Sequence, residues 1–98
     1  MTINKQLNGT TLTIALQGRL DTTTAPELEK ALKDSLSGIT TLEMDFSKLD
    51  YISSAGLRVL LSTQKIMNKQ GEMKVLHVNE MVMEVFEVTG FVDILNIE

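Results

Sequence analysis

Along this chain of 98 residues the apolar side chains change period repeatedly, from every second residue to every third or fourth and back, and that limits the possible folds severely. Leu12, Ile14 and Leu16 alternate with Thr11, Thr13 and Gln17, the signature of a half-buried strand. A first strand signal, Ile3 to Leu7, is joined to it by Asn8-Gly9, a dipeptide that supplies the positive φ angles of a tight hairpin turn. Leu28, Ala31, Leu32, Ser35 and Leu36 then follow at helical spacing until Gly38. Thr24-Ala25-Pro26-Glu27 reads as a capping box with proline in the first turn of that helix.

The period returns to two at Leu42, Met44 and Phe46, which alternate with Thr41, Glu43 and Asp45; Ser47 to Ile52 is expected to be an irregular connection. A second helix is marked by Leu57, Leu60, Leu61, Gln64 and Met67 on one face, with Gly71 expected in a left-handed cap. Met73 to Val78 reads as a buried strand, Asn79 as the cap of a third helix through Val82, Val85 and Phe86, and Val92 to Ile97 as a last strand after Gly90. The order predicts an α/β fold: a mixed sheet with an N-terminal antiparallel hairpin, then parallel β-α-β units with right-handed crossovers, faced by helices. One compact domain over residues 1–98 is expected, because the chain has one domain's length and no linker or repeat.

Several function classes are disfavoured at once. Thirteen acids against nine scattered Lys and Arg leave a net charge of −4 and no basic stripe, so no direct nucleic-acid binding is expected. There is no cysteine, and no apolar run reaches the roughly 20 residues that span a bilayer, so no membrane insertion is expected and the chain reads as cytoplasmic. The single histidine, His77, falls in a predicted strand and reads as a packed or edge residue, not a catalyst or phosphocarrier. Without a nucleophile elbow, a phosphate-binding glycine loop or a clustered set of metal ligands, the chain is expected to be no enzyme and to need no metal or cofactor.

The most informative stretch is Asp50-Tyr51-Ile52-Ser53-Ser54-Ala55-Gly56-Leu57, where two serines precede the second helix. One serine suffices to cap a helix; the second, beside the small Ala55 and Gly56, offers a hydroxyl that another protein could approach closely. A phosphoryl group there would bring about −1.5 to −2 charges to free N–H groups and the positive end of the helix dipole. Asp21, ahead of Thr22-Thr23-Thr24, is either a turn former or a polar group facing a partner. Val59 and Ile66, seven apart, either form an exposed apolar strip or pack under a neighbouring element.

The string DYISSAGLRVLL, Asp50 to Leu61, resembles the phosphorylation motif of the STAS domains, and within them of the small anti-sigma factor antagonists. Gly18-Arg19-Leu20-Asp21 is similar to that family's Gly-x-Leu-Asp, and Phe86-Glu87-Val88-Thr89-Gly90-Phe91 extends the likeness to nearly the whole chain. The resemblance implies a protein that, when unphosphorylated, binds an anti-sigma factor, commonly a serine kinase of the GHKL type, and so frees a sigma factor. The kinase phosphorylates and releases the antagonist, and a PP2C-like phosphatase reverses the mark.

Carried over by position, the acceptor is Ser54, with Ser53 the less favoured neighbour, and Asp21 matches a residue near the kinase's nucleotide and acceptor site. The implied partner surface is Asp21, Thr22, Thr23, Ser53, Ser54, Ala55, Gly56, Arg58 and Val59. Ser53 stands where many antagonists have aspartate, and many relatives continue into a further helix beyond the position of Glu98. The competing reading is an unphosphorylated STAS scaffold or transporter-accessory interaction module.

Overall fold

A computed structural model describes residues 1–98. Strands β1 (Thr2–Asn8) and β2 (Thr11–Leu20) pair antiparallel around the expected turn, with Gly9 at φ 65° and Asn8 opposite Thr11. Helix α1 (Ala25–Lys33) returns the chain so that β3 (Thr41–Ile52) lies parallel to β2, and helix α2 (Ser54–Gln70) does the same for β4 (Glu72–Leu76) beside β3. The sheet order is therefore β1-β2-β3-β4, and helix α3 (Glu80–Thr89) follows the last strand. This is the mixed α/β sheet that the alternating periods predict.

Strand side chains alternate between faces, so one parity decides the core. Leu12, Ile14, Leu16, Leu42, Met44, Phe46, Met73 and Val75 are buried under Leu28, Leu32, Leu57, Leu60, Met67, Val82 and Phe86 of the helices. Thr11, Thr13, Thr41, Glu43 and Lys74, of the opposite parity, remain partly open. The helices thus cover one face of the sheet and leave the other polar. Near the third helix the core is aromatic: the Phe86 ring lies 6.4 Å from that of Phe46 and 6.5 Å from that of Phe91.

Five local expectations are corrected. Ser47 to Ile52 is not an irregular connection: β3 runs on through it, because shifts of register against β2 near Gln17 and Arg19 absorb the break in alternation and return Leu49 and Ile52 to the core. The capping box does not form, since Thr24 makes no side-chain cap and its hydroxyl is engaged with Asp21 and Arg19 instead. Gly71 is extended, at φ 169°, and not left-handed; a Cβ there would collide with the carbonyl group of Thr40, which binds the next amide, Glu72. His77 lies just past β4, exposed and at φ 58°, not within a strand. Val92 to Ile97 is not a full strand but a 3₁₀ turn over Phe91–Asp93 and a single parallel bridge from Ile97 to Val75. That segment folds back because doing so buries Leu95 and sets Phe91 against Phe86.

Candidate functional site

Because β2 and β3 are parallel and adjacent, both deliver the chain to the same end of the sheet, where α1 and α2 begin. Leu20 and Ile52 are register partners there, and the Ser53 amide donates to the Leu20 carbonyl at 2.9 Å. The loop before α1 and the start of α2 are thereby locked side by side.

The first of these elements is built around one carboxylate. Asp21 Oδ1 accepts from the Thr23 hydroxyl at 2.8 Å, the Thr23 amide at 3.0 Å and the Thr24 amide at 3.2 Å. Thr24 Oγ1 accepts from the Asp21 amide and donates to the Arg19 carbonyl, each at 2.8 Å. The Thr23 hydroxyl, then the Thr24 and Thr23 amides, favour the charged carboxylate and hold its pKa below 3.8, against an opposing effect of desolvation. Asp21 Oδ2 is 3.8 Å from Arg19 Nε, and the Arg19 guanidinium sits 4.2 Å above the Tyr51 ring. Asp21 is thus a turn former, while Thr22 and Thr23 stand exposed beside it.

The second element is the tip of α2. Ser53 occupies the N-cap in an extended conformation and accepts from the Gly56 amide at a long 3.4 Å. Ser54 is the first helical residue, exposed, and its hydroxyl makes no hydrogen bond within the chain. The Ser54 and Ala55 amides also lack an acceptor in the chain. The first turn of α2 carries no acidic side chain, whereas α1 has Glu27 and α3 has Glu80 in that position. The positive end of this helix is left uncompensated.

Gly56, included in the implied partner surface, lies beneath that surface. It is buried, and a Cβ there would lie 2.7 Å from Leu20 Cγ and 2.9 Å from Ile52 Cγ1, so the missing side chain seats the tip of α2 on the ends of β2 and β3. Val59 is also buried, at 4% exposure, while Ile66 is 40% exposed, so they are not an exposed strip; with Leu32 and Leu36 of α1 they line a small groove of about 280 Å³. Val59 also lines a larger open groove of about 580 Å³ between α1 and α2, together with Thr22, Ala55, Arg58, Glu29, Lys30, Lys33 and Asp34.

One end of the sheet therefore gathers Asp21, Thr22, Thr23, Ser53, Ser54, Ala55 and Arg58 at the surface, with Gly56 and Val59 beneath them. Sequence reasoning missed Arg19 with Tyr51, which meet only through the β2–β3 register, and Lys30 with Lys33, which reach the groove from α1. The helical spacing of the two lysines was visible, but which face of α1 would meet α2 was not.

Comparison with known proteins bears on this arrangement. The STAS domain family model matches residues 2–98. BtrV of Bordetella bronchiseptica, provisionally assigned as an anti-sigma factor antagonist, is 40% identical over 85 residues, covering 85% of this chain and 73% of its own. The anti-sigma-B factor antagonist of Staphylococcus aureus is 29% identical over 86 residues, covering 86% and 80%. Among solved structures, the Bacillus anti-sigma factor antagonist SpoIIAA in its unphosphorylated form superimposes with a TM-score of 0.78 at 17% identity, over 99% of this chain and 87% of that one. Its phosphorylated form gives 0.77 at 18% identity, over 99% and 91%.

Proposed function

This chain belongs to the STAS domain family, and from that premise we propose that it is an anti-sigma factor antagonist switched off by phosphorylation of Ser54. In the bare state the end of the sheet at Ser54 docks on an anti-sigma factor of the GHKL serine kinase type in the cytoplasm, freeing a sigma factor. The kinase adds phosphate, the complex parts, and a PP2C-like phosphatase restores the hydroxyl. The chain acts by binding and catalyses no reaction itself. Names of the relatives support the antagonist role, and the solved phosphorylated form of SpoIIAA supports a fold that accepts the modification.

The observation that carries the proposal is the exposed Ser54 hydroxyl at the uncompensated tip of α2, tied through the Ser53 amide to the Asp21 loop. Phosphate at this position meets free amides and the helix dipole, so the scaffold holds while the surface gains about −1.5 to −2 charges. A partner fitted to the neutral serine then meets bulk, repulsion and a desolvation cost. Arg58, one turn along α2, and Thr22, Thr23 and Ala55 complete the surface that such a partner touches.

The test is incubation with candidate GHKL kinases and ATP, read by intact mass and peptide mapping. One phosphate on Ser54 is expected, with none on Ser54→Ala, and Ser54→Asp should lose kinase binding while its circular dichroism stays native. Phosphorylation of Ser54→Ala at the parent rate, with Ser53→Ala unmodified, would show that the acceptor is wrongly assigned.

A further inference from the structure

Helix α3 lies outside the surface just described, and its outer side is unusually ordered in sequence. Val82 and Phe86 face the core; Met81, Val85 and Val88 form a row at i, i+4 and i+7 beside them. Met81 and Val88 are 61% and 77% exposed, and Val85 between them is half-buried, packed on the edge of the core. A second row at the same spacing, Glu80, Glu84 and Glu87, runs alongside the first and is exposed throughout. None of the three glutamates takes part in an ion pair.

Charge along the chain is correspondingly divided. Residues 75–98 hold five of the thirteen acids and none of the nine Lys and Arg, so the whole negative balance of the protein resides at this end. The two rows together are an apolar strip with an uncompensated acidic border.

We propose that the outer side of α3 is a second docking surface, whose occupant is an amphipathic helix of another protein carrying an apolar row bordered by Lys or Arg. An apolar row at i, i+4, i+7 is the spacing that a facing helix matches, and the carboxylate row selects the sign of its border. A second copy of this chain is disfavoured because it would set α3 carboxylates against each other, and an anionic lipid surface is disfavoured for the same reason. The surface works independently of Ser54, so an antagonist blocked by phosphate keeps it.

The test uses the ¹⁵N-labelled full chain and a synthetic helical peptide with a leucine row flanked by lysines. Saturable amide shifts confined to residues 80–89 are expected, with affinity falling on the order of tenfold between about 0.05 and about 0.3 M NaCl. Glu84→Lys/Glu87→Lys and Val88→Ser should each weaken the titration by a similar factor while circular dichroism stays native; Ser54→Asp should leave it unchanged. The proposal is overturned if no saturable shift appears at millimolar peptide or the shifts fall elsewhere. Equal binding of a peptide with every lysine replaced by glutamate, or sedimentation showing self-association through α3, would overturn it as well.

Discussion

Phosphate on Ser54 should make the protein more stable, and the size of the gain follows from what α2 lacks. A charge at a helix N-terminus contributes about 0.3–1 kcal/mol when exposed and up to about 2 in favourable geometry. Here the Ser54 and Ala55 amides are free, the Ser53 cap is long at 3.4 Å, and no acid occupies the first turn. Arg58, four residues on, adds about 0.3–0.5 kcal/mol as an exposed i, i+4 pair. Repulsion from Asp21 and from a net charge already at −4 opposes both. A net gain of about 1 kcal/mol remains, which in a domain of this size raises Tm by roughly 4–8 °C.

The cleanest assay places phosphoserine at 54 by genetic encoding, so that no kinase is needed, and compares thermal unfolding with the unmodified chain. Phosphoserine at Ser62, exposed in the middle of α2 and also four residues from Arg58, serves as the control: it keeps the Arg58 pair but lacks the helix terminus, and should give a clearly smaller gain. The sign with pH is fixed: the folded state favours the dianion, so the second phosphate pKa falls below its unfolded value of about 6. The share of the extra stability that comes from the second charge is therefore fully present above about pH 6 and is lost as pH falls through the folded value, while the monoanion keeps the rest. It should shrink in about 0.5 M salt. An unchanged or lower Tm at neutral pH and low salt, or a gain equal to that at Ser62, would refute the reasoning.

Gly56→Ala should destabilise by about 1–3 kcal/mol, since its methyl group would sit 2.7 Å from Leu20 Cγ; urea unfolding at unchanged m-value measures it, and a neutral result would mean that α2 is not seated on Leu20 and Ile52. Asp21 should titrate below 3.8 in a carboxyl NMR experiment, and Thr23→Val should raise its midpoint. Because the folded pKa is the lower one, the stability that Thr23 lends Asp21 is present above the ordinary aspartate range and disappears as pH drops through the folded value. A midpoint at or above 3.8 would show that the Thr23 hydroxyl does not bind the carboxylate. Gln64→Met should be neutral or stabilise by up to about 1 kcal/mol, as it removes a buried Oε1 that has no donor together with the Nε2 bond to Asn68, whose exposed side chain water can serve; a clear loss in urea unfolding would count against this.

Local periodicity made most of the fold legible: the parity of Leu12, Ile14 and Leu16 and of Leu42, Met44 and Phe46 already chose the core face, and Asn8-Gly9 already implied the hairpin. What failed was decided by contacts between distant segments. The second half of β3 was unreadable because a register shift against β2 changes which parity faces inward at Leu49. Val92 to Ile97 has an acceptable strand pattern, yet burial of Leu95 draws it into a turn. Thr24 has the residue type of a cap, but its hydroxyl binds Arg19 and Asp21, a competition visible only once the loop is closed. At the site, the place of Ser54 on the second helix could be read directly, whereas the inward role of Gly56 needed Leu20 and Ile52 to be brought beneath it.

In the proposed switch, the neutral residue at position 53 bears on both the choice of acceptor and the strength of the response. Many antagonists have aspartate there, and a carboxylate beside a phosphate dianion opposes it by on the order of 1 kcal/mol even at high dielectric. Ser53 imposes no such repulsion and caps α2 weakly, so phosphate on Ser54 supplies charge that the helix tip does not already have. The same geometry separates the two hydroxyls. Ser53 is half-buried, its side chain engaged with Gly56 and its amide held by Leu20, so presenting it to a kinase means parting the ends of β2 and β3. Ser54 needs no such movement: its hydroxyl is already exposed and unbonded, one residue beyond the contact that holds the scaffold together.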